Sequence, residues 1–157
     1  DVIGDLRARS DEVEGYQLAA IDCRADGDRE QTTLDSGAYV NRVGSPSDLT
    51  GIGIGITETF DRFQGSGLDR GRLALSSLST MLTYTDEKTV FKFCHVLSSR
   101  TAGADFLGVF TIDSTAHDEQ ALQVIKQAFD GLIEVRDEGT REARLRGLGE
   151  PSDWVEL

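Results

Sequence analysis

Short apolar runs alternate with amphipathic stretches along most of this chain, and that alternation constrains the fold more than any other feature. Leu18 to Cys23 (LAAIDC) suits a buried parallel strand, and Ala38 to Val43 a second short one. Ser45 to Gly67 predicts a helix: Ser47 or Asp48 can cap it, and Leu49, Ile52, Ile56, Phe60 and Phe63 recur at three- and four-residue steps. Gly65 and Gly67 stop it. Arg72 to Leu78 (RLALSSL) reads as the next strand, and Asp86 to Gly103 as the next helix, with Val90, Phe93, Cys94 and Leu97 on one face. Asp105 to Ile112 (DFLGVFTI) is another buried strand, and His117 to Phe129 an amphipathic helix through Leu122, Ile125 and Phe129. The period then changes. Leu132 to Arg136, a turn over Asp137 to Thr140, and Glu142 to Arg146 alternate as a hairpin does, with Trp154 to Leu157 as a last strand.

Strands that alternate with helices and end in an antiparallel tail predict one α/β domain over residues 1–157. The expected architecture is a three-layer sandwich with a mostly parallel sheet and a C-terminal antiparallel hairpin. The chain enters this pattern inside what reads as a helix, Asp1 to Val13, with no cap or strand before it. The polar stretch Arg24 to Gly37 reads as a surface loop.

Charge excludes one class of partner. Seventeen Asp and eleven Glu face thirteen Arg and three Lys (Lys88, Lys92, Lys126), a net charge of −12. Duplex nucleic acid needs a basic surface, so it is not an expected partner. The acids are spread along the chain, as on a solvated surface rather than a binding tail. Abundant Asp beside scarce Lys resembles the composition of proteins from salt-loving archaea, and stability is expected to rise with salt, because screening shortens to roughly 3 Å at about 1 M. No stretch is apolar enough for a membrane span and no basic segment precedes an apolar one, so a cytoplasmic protein without membrane insertion is expected. Cys23 and Cys94 have neither a CxxC pattern nor a His at ligand spacing, and read as buried free thiols of a reducing compartment.

Four features point toward chemistry, each with a plainer reading. Gly51-Ile52-Gly53-Ile54-Gly55 resembles a phosphate loop, but the spacing is neither GxGxxG nor GxxxxGK[ST], and small residues that let a helix sit close on a sheet explain it better. Asp22, Ser76, Ser77 and Asp113 stand at strand ends, where open α/β sheets place their binding crevice. Two carboxylates and a hydroxyl there suit a hydrated Mg²⁺ with a phosphate ligand; turn and cap hydrogen bonding is the plainer role. His117 follows Asp113 and Ser114 closely enough to invite a hydrolase triad, without a GxSxG elbow to support it, so a capping or solvent-facing role at a helix start is expected. His95 reads as a packing residue and Trp154 as a core-edge aromatic.

Arg72-Leu73-Ala74-Leu75-Ser76-Ser77-Leu78-Ser79-Thr80 resembles the Walker B strand of the RecA/KaiC-like P-loop ATPase superfamily, where apolar residues lead into Asp-Ser-Leu-Ser. Ser45 to Thr50 and its helix are similar to the segment before that strand, and Phe106 to Asp113 to the next core strand. Phe129 to Val135 and Arg144 to Leu148 resemble the superfamily's later strand and closing hairpin. The similarity is nearest to a degenerate haloarchaeal branch, some members of which are labelled transducer-like. It implies a RecA-like sandwich. Ser76 stands where the Walker B acid would, and the P-loop, its Lys and the strand with the catalytic glutamate would lie upstream of Asp1. The resemblance therefore implies a non-catalytic interaction or signalling domain with protein partners, a homo-oligomer above all, and no cofactor. The alternative is a fragment of a nucleotide-binding ATPase, with ATP and Mg²⁺ bound only if a P-loop lies upstream. In such a sheet the P-loop strand is internal, so its loss should leave edges or apolar side chains exposed.

Overall fold

The computed structural model describes residues 16–23, 30–34, 37–68 and 70–157. Along them run β1 (Ala19–Asp22), β2 (Glu30–Thr33), β3 (Tyr39–Arg42), α1 (Leu49–Gly65), β4 (Arg72–Leu75), α2 (Leu78–Tyr84), α3 (Glu87–Gly103), β5 (Leu107–Phe110), α4 (Glu119–Lys126), β6 (Leu132–Asp137), β7 (Arg141–Arg146) and β8 (Val155–Glu156). The architecture is mixed α/β. The described strands are hydrogen-bonded as three small sheets, in the orders β1-β3-β2, β4-β5 and β6-β7-β8, rather than as one continuous sheet. β1 runs parallel to β3 and β4 parallel to β5, while β2 lies antiparallel to β3. The last sheet is wholly antiparallel, with Leu132 opposite Arg146 and Asp137 opposite Arg141, so the C-terminal hairpin stands as the sequence predicts.

Local chemistry explains where the helices begin and end. Asp48 caps α1 by accepting the Gly51 N–H at 2.8 Å, Asp86 caps α3 through Thr89, and Asp118 caps α4 through Ala121. At the far end of α1, Gly67 adopts φ +79°, a conformation in which a Cβ is strained. That turn lets the Leu68 N–H reach the Phe63 carbonyl and the Gly67 N–H reach that of Gln64, which gives the last-turn carbonyls partners.

The core gathers Val43, Ile52 and Ile56, Leu78 and Met81, Val90, Cys94 and Leu97, and Ile125, so α1 to α4 all contribute. Leu73 and Leu75 of β4 and Phe110 of β5 pack against it from one side of their strands. The glycines of α1 serve close approach. A Cβ on Gly55 would stand 2.9 Å from Asn41 Nδ2 on β3 and 3.1 Å from Ile21 Cδ1 on β1, so only glycine lets α1 lie this near those strands. Trp154, just before β8, has two guanidinium groups over its ring, Arg136 at 4.2 Å and Arg144 at 4.4 Å from the ring centre.

Four expectations need correction or fall outside the described residues. Within the stretch read as a loop, Glu30 to Thr33 form β2, because Gln31 and Thr32 find ladder partners in Asn41 and Val40; residues 24–29 and 35–36 lie outside the described residues. The strand read as Arg72 to Leu78 ends at Leu75, since Ser77 caps a new helix through the Thr80 N–H and Leu78 is its first residue. His95 is not a packing residue: it is exposed and stacks on Phe91 with ring centres 6.0 Å apart. The helix read over Asp1 to Val13 lies outside the described residues.

Candidate functional site

Parallel β4 and β5 bring their carboxyl ends to one edge, and the segments that leave them are stitched together. The Thr111 N–H donates to the Leu75 carbonyl at 3.0 Å and the Leu78 N–H to the Thr111 carbonyl at 2.8 Å. The turn through Ser76 and Ser77, whose shared peptide bond is cis, therefore lies beside the segment that carries Asp113. Four hydroxyl and carboxyl side chains lie on these two segments. Ser77 Oγ accepts the Thr80 N–H, Ser79 Oγ accepts the Asp113 N–H at 2.9 Å, and Asp113 Oδ1 accepts both the N–H and the hydroxyl of Thr115.

His117 completes the group. Its Nε2 lies 2.9 Å from Ser79 Oγ, across 38 residues of sequence, and both side chains are half-buried. Asp118, not His117, caps the helix that follows, which leaves the imidazole free to turn back toward α2. The hydrogen bonds from Thr115, and then the charge of His117, hold the Asp113 carboxyl below the usual Asp range. Asp113 thus remains a carboxylate beside the imidazole.

Of the strand-end residues that the sequence singles out, Ser77 and Asp113 share this edge. Ser76 precedes the α2 cap and is exposed. Asp22 ends β1 in another sheet, opposite Arg42, and its charge acts with that of Asp48 on Cys23. Among the described residues, no three His, Cys, Asp or Glu side chains sit together as a metal-binding group. Both cysteines are free thiols. Cys94 is buried, and burial pushes its thiol up to about 12. Cys23 is half-buried and raised in the same direction, by burial first and then by Asp22 and Asp48.

The pairing of Ser79 with His117 was not legible in the sequence, where Ser114 is the nearer serine. Spacing along the chain carries no signal for two residues that meet only because β4 and β5 are neighbours.

A family model matches residues 3–135, described as a family of unknown function, DUF7504. The chain belongs to the DUF7504 family. The family match takes in Ser77, Ser79, Asp113 and His117, and ends at Val135 within β6, so β7 and β8 lie beyond it. No curated protein matches the chain. No described helix of this DUF7504 member is long and apolar enough to cross a membrane.

Proposed function

We propose that this chain is a RecA/KaiC-like interaction or signalling domain that does not hydrolyse ATP, and that it associates with a second copy of itself through the β4–β5 pair. One observation carries the reading. Leu107 and Val109 point away from the core with 60% and 47% of their surface exposed, on a two-stranded sheet that pairs with no third strand among the described residues. An unpaired strand edge with an apolar face is a template for another strand, and natural proteins cover or charge such edges when they are not used.

Two features favour a second copy as the occupant. A strand edge is self-complementary about a two-fold axis, so one patch serves both partners. β5 itself, Leu-Gly-Val-Phe, carries no charge in a chain of net charge −12, so self-repulsion is weakest there. The ATPase part of the reading rests on residues. Ser76 occupies the position where the resemblance puts the Walker B acid, and no GxxxxGK[ST] occurs in the sequence. The parallel pairs β1–β3 and β4–β5, flanked by helices, are compatible with the RecA-like sandwich that the resemblance implies.

Sedimentation of the chain in molar KCl tests the association. The expected result is a dimer that the paired substitution Leu107→Glu and Val109→Glu converts to a monomer that still melts cooperatively. A wild-type monomer at every concentration sinks the reading. Titration with a fluorescent ATP analogue and Mg²⁺ tests the other half, and saturable binding displaced by ATP would favour the ATPase-fragment alternative.

A further inference from the structure

We propose that Ser79 is a nucleophilic serine with His117 as its general base, forming an acyl-accepting site for activated carboxylic esters at the carboxyl edge of β4 and β5. This goes beyond the docking reading and does not depend on it.

The inference follows from hydrogen-bond accounting at one oxygen. A serine hydroxyl has one proton to give and two lone pairs to offer. Asp113 reaches Ser79 Oγ through a backbone N–H, which can only donate, so it occupies a lone pair and leaves the hydroxyl proton needing an acceptor. His117 Nε2 stands 2.9 Å away: with the ring proton on Nδ1 it accepts the Ser79 hydroxyl proton, and with the ring proton on Nε2 it donates to the second Ser79 lone pair. In the Nδ1–H tautomer the Ser79 proton lies on the line to Nε2. That is the starting geometry of general-base activation, in which the base stands roughly 2.6–3.2 Å from the proton it takes.

Two surroundings support the assignment. The Asp113 carboxylate, held by Thr115, lies within electrostatic reach of the His117 ring that takes the proton. The pair also lies where parallel strands end, the edge at which open α/β sheets bind their ligands.

The step balances. Ser79 Oγ bonds to the ester carbonyl carbon as its proton passes to His117 Nε2. The bond from that carbon to the ester oxygen breaks, and the leaving group departs with the electron pair. With p-nitrophenyl acetate the products are acetyl-Ser79, p-nitrophenolate and a proton released from His117. Water then cleaves the acetyl-serine to acetate and restores the hydroxyl.

The intact chain in molar KCl is treated with p-nitrophenyl acetate, and the acetylated residues are located by peptide mass mapping. Acetylation of Ser79 ahead of every other serine, at a rate that falls as acid protonates the imidazole, is the expected result. His117→Gln keeps a hydrogen-bonding side chain but cannot act as a base, and is expected to slow Ser79 labelling by about 100-fold. Ser79→Ala removes that acetyl group. Labelling confined to lysines and the N-terminus overturns the proposal, as does Ser79 labelling that ignores either pH or His117→Gln. Should His117→Gln lose its cooperative melt, the wild-type map and pH profile still decide between these outcomes.

Discussion

Two glycines two residues apart in α1 make the sharpest test of how that helix is seated. Gly53 and Gly55 both lie in the interior of α1, where alanine is favoured over glycine by about 1 kcal/mol. At Gly53 a Cβ meets only Phe93, at 3.9 Å, an ordinary contact. Gly53→Ala should therefore gain about 1 kcal/mol, raising the melting temperature by roughly 2–4 °C for a chain of this size. At Gly55 the same Cβ stands 2.9 Å from Asn41 Nδ2 and 3.1 Å from Ile21 Cδ1, and Asn41 is fully buried, so it has nowhere to withdraw. Overpacking of this kind costs about 1–3 kcal/mol. Shifting Asn41 also strains its 3.2 Å bond to Glu58, costing about 1 kcal/mol more. Set against the helix gain, Gly55→Ala should lose about 2 kcal/mol, a fall of roughly 4–8 °C. Thermal melts followed by circular dichroism in molar KCl measure both. A Gly55→Ala protein that melts at or above the wild type would refute close seating of α1 on β1 and β3.

Further outcomes follow from charge and burial. Cys94, with its thiol pushed up to about 12 in the core, should resist a disulfide-exchange reagent until the chain unfolds, while half-buried Cys23 reacts first; equal rates in the native state would contradict the packing. Burial disfavours the charge on Glu134, but bonds and charges from Arg144 and Arg146 outweigh it and hold the carboxyl below its ordinary 4.5. A lowered folded-state value means that the unfolded chain binds the extra proton, so this stability is complete above about pH 4.5 and is lost as pH falls through the folded value. Glu134→Gln should flatten that acid limb by at most about 1 kcal/mol in denaturant titrations, the scale of a largely exposed ion pair. The melting temperature should rise between dilute buffer and molar KCl, because a net charge of −12 repels itself when unscreened; an unmoved melt would remove the salt argument.

Much of the secondary structure was legible because it depends on near neighbours. Apolar steps of three and four, an Asp at the start of α1 and of α3, and Gly67 at the end of α1 are local signals, and α1, α3 and the β6–β7 hairpin lie where those signals put them. β2 escaped because Glu30 to Thr33 are polar, and a strand of this kind is made by its partner β3 rather than by its own pattern. α2 went unread: only its first residue, Leu78, lies in the run read as a strand, and the Ser77 cap divides it from β4.

Function divides along the same line. Residue types alone determined the acidic surface, the absence of a Walker A sequence and the candidate status of Asp22, Ser76, Ser77 and Asp113. The tertiary structure decided which of these share an edge, seated Asp22 in a different sheet, and joined Ser79 to His117 across 38 residues. The physical reason is range. Propensity and periodicity act within a few residues of chain, whereas a side-chain hydrogen bond depends on which strands lie side by side, and that is settled by burying the apolar faces of the whole chain at once.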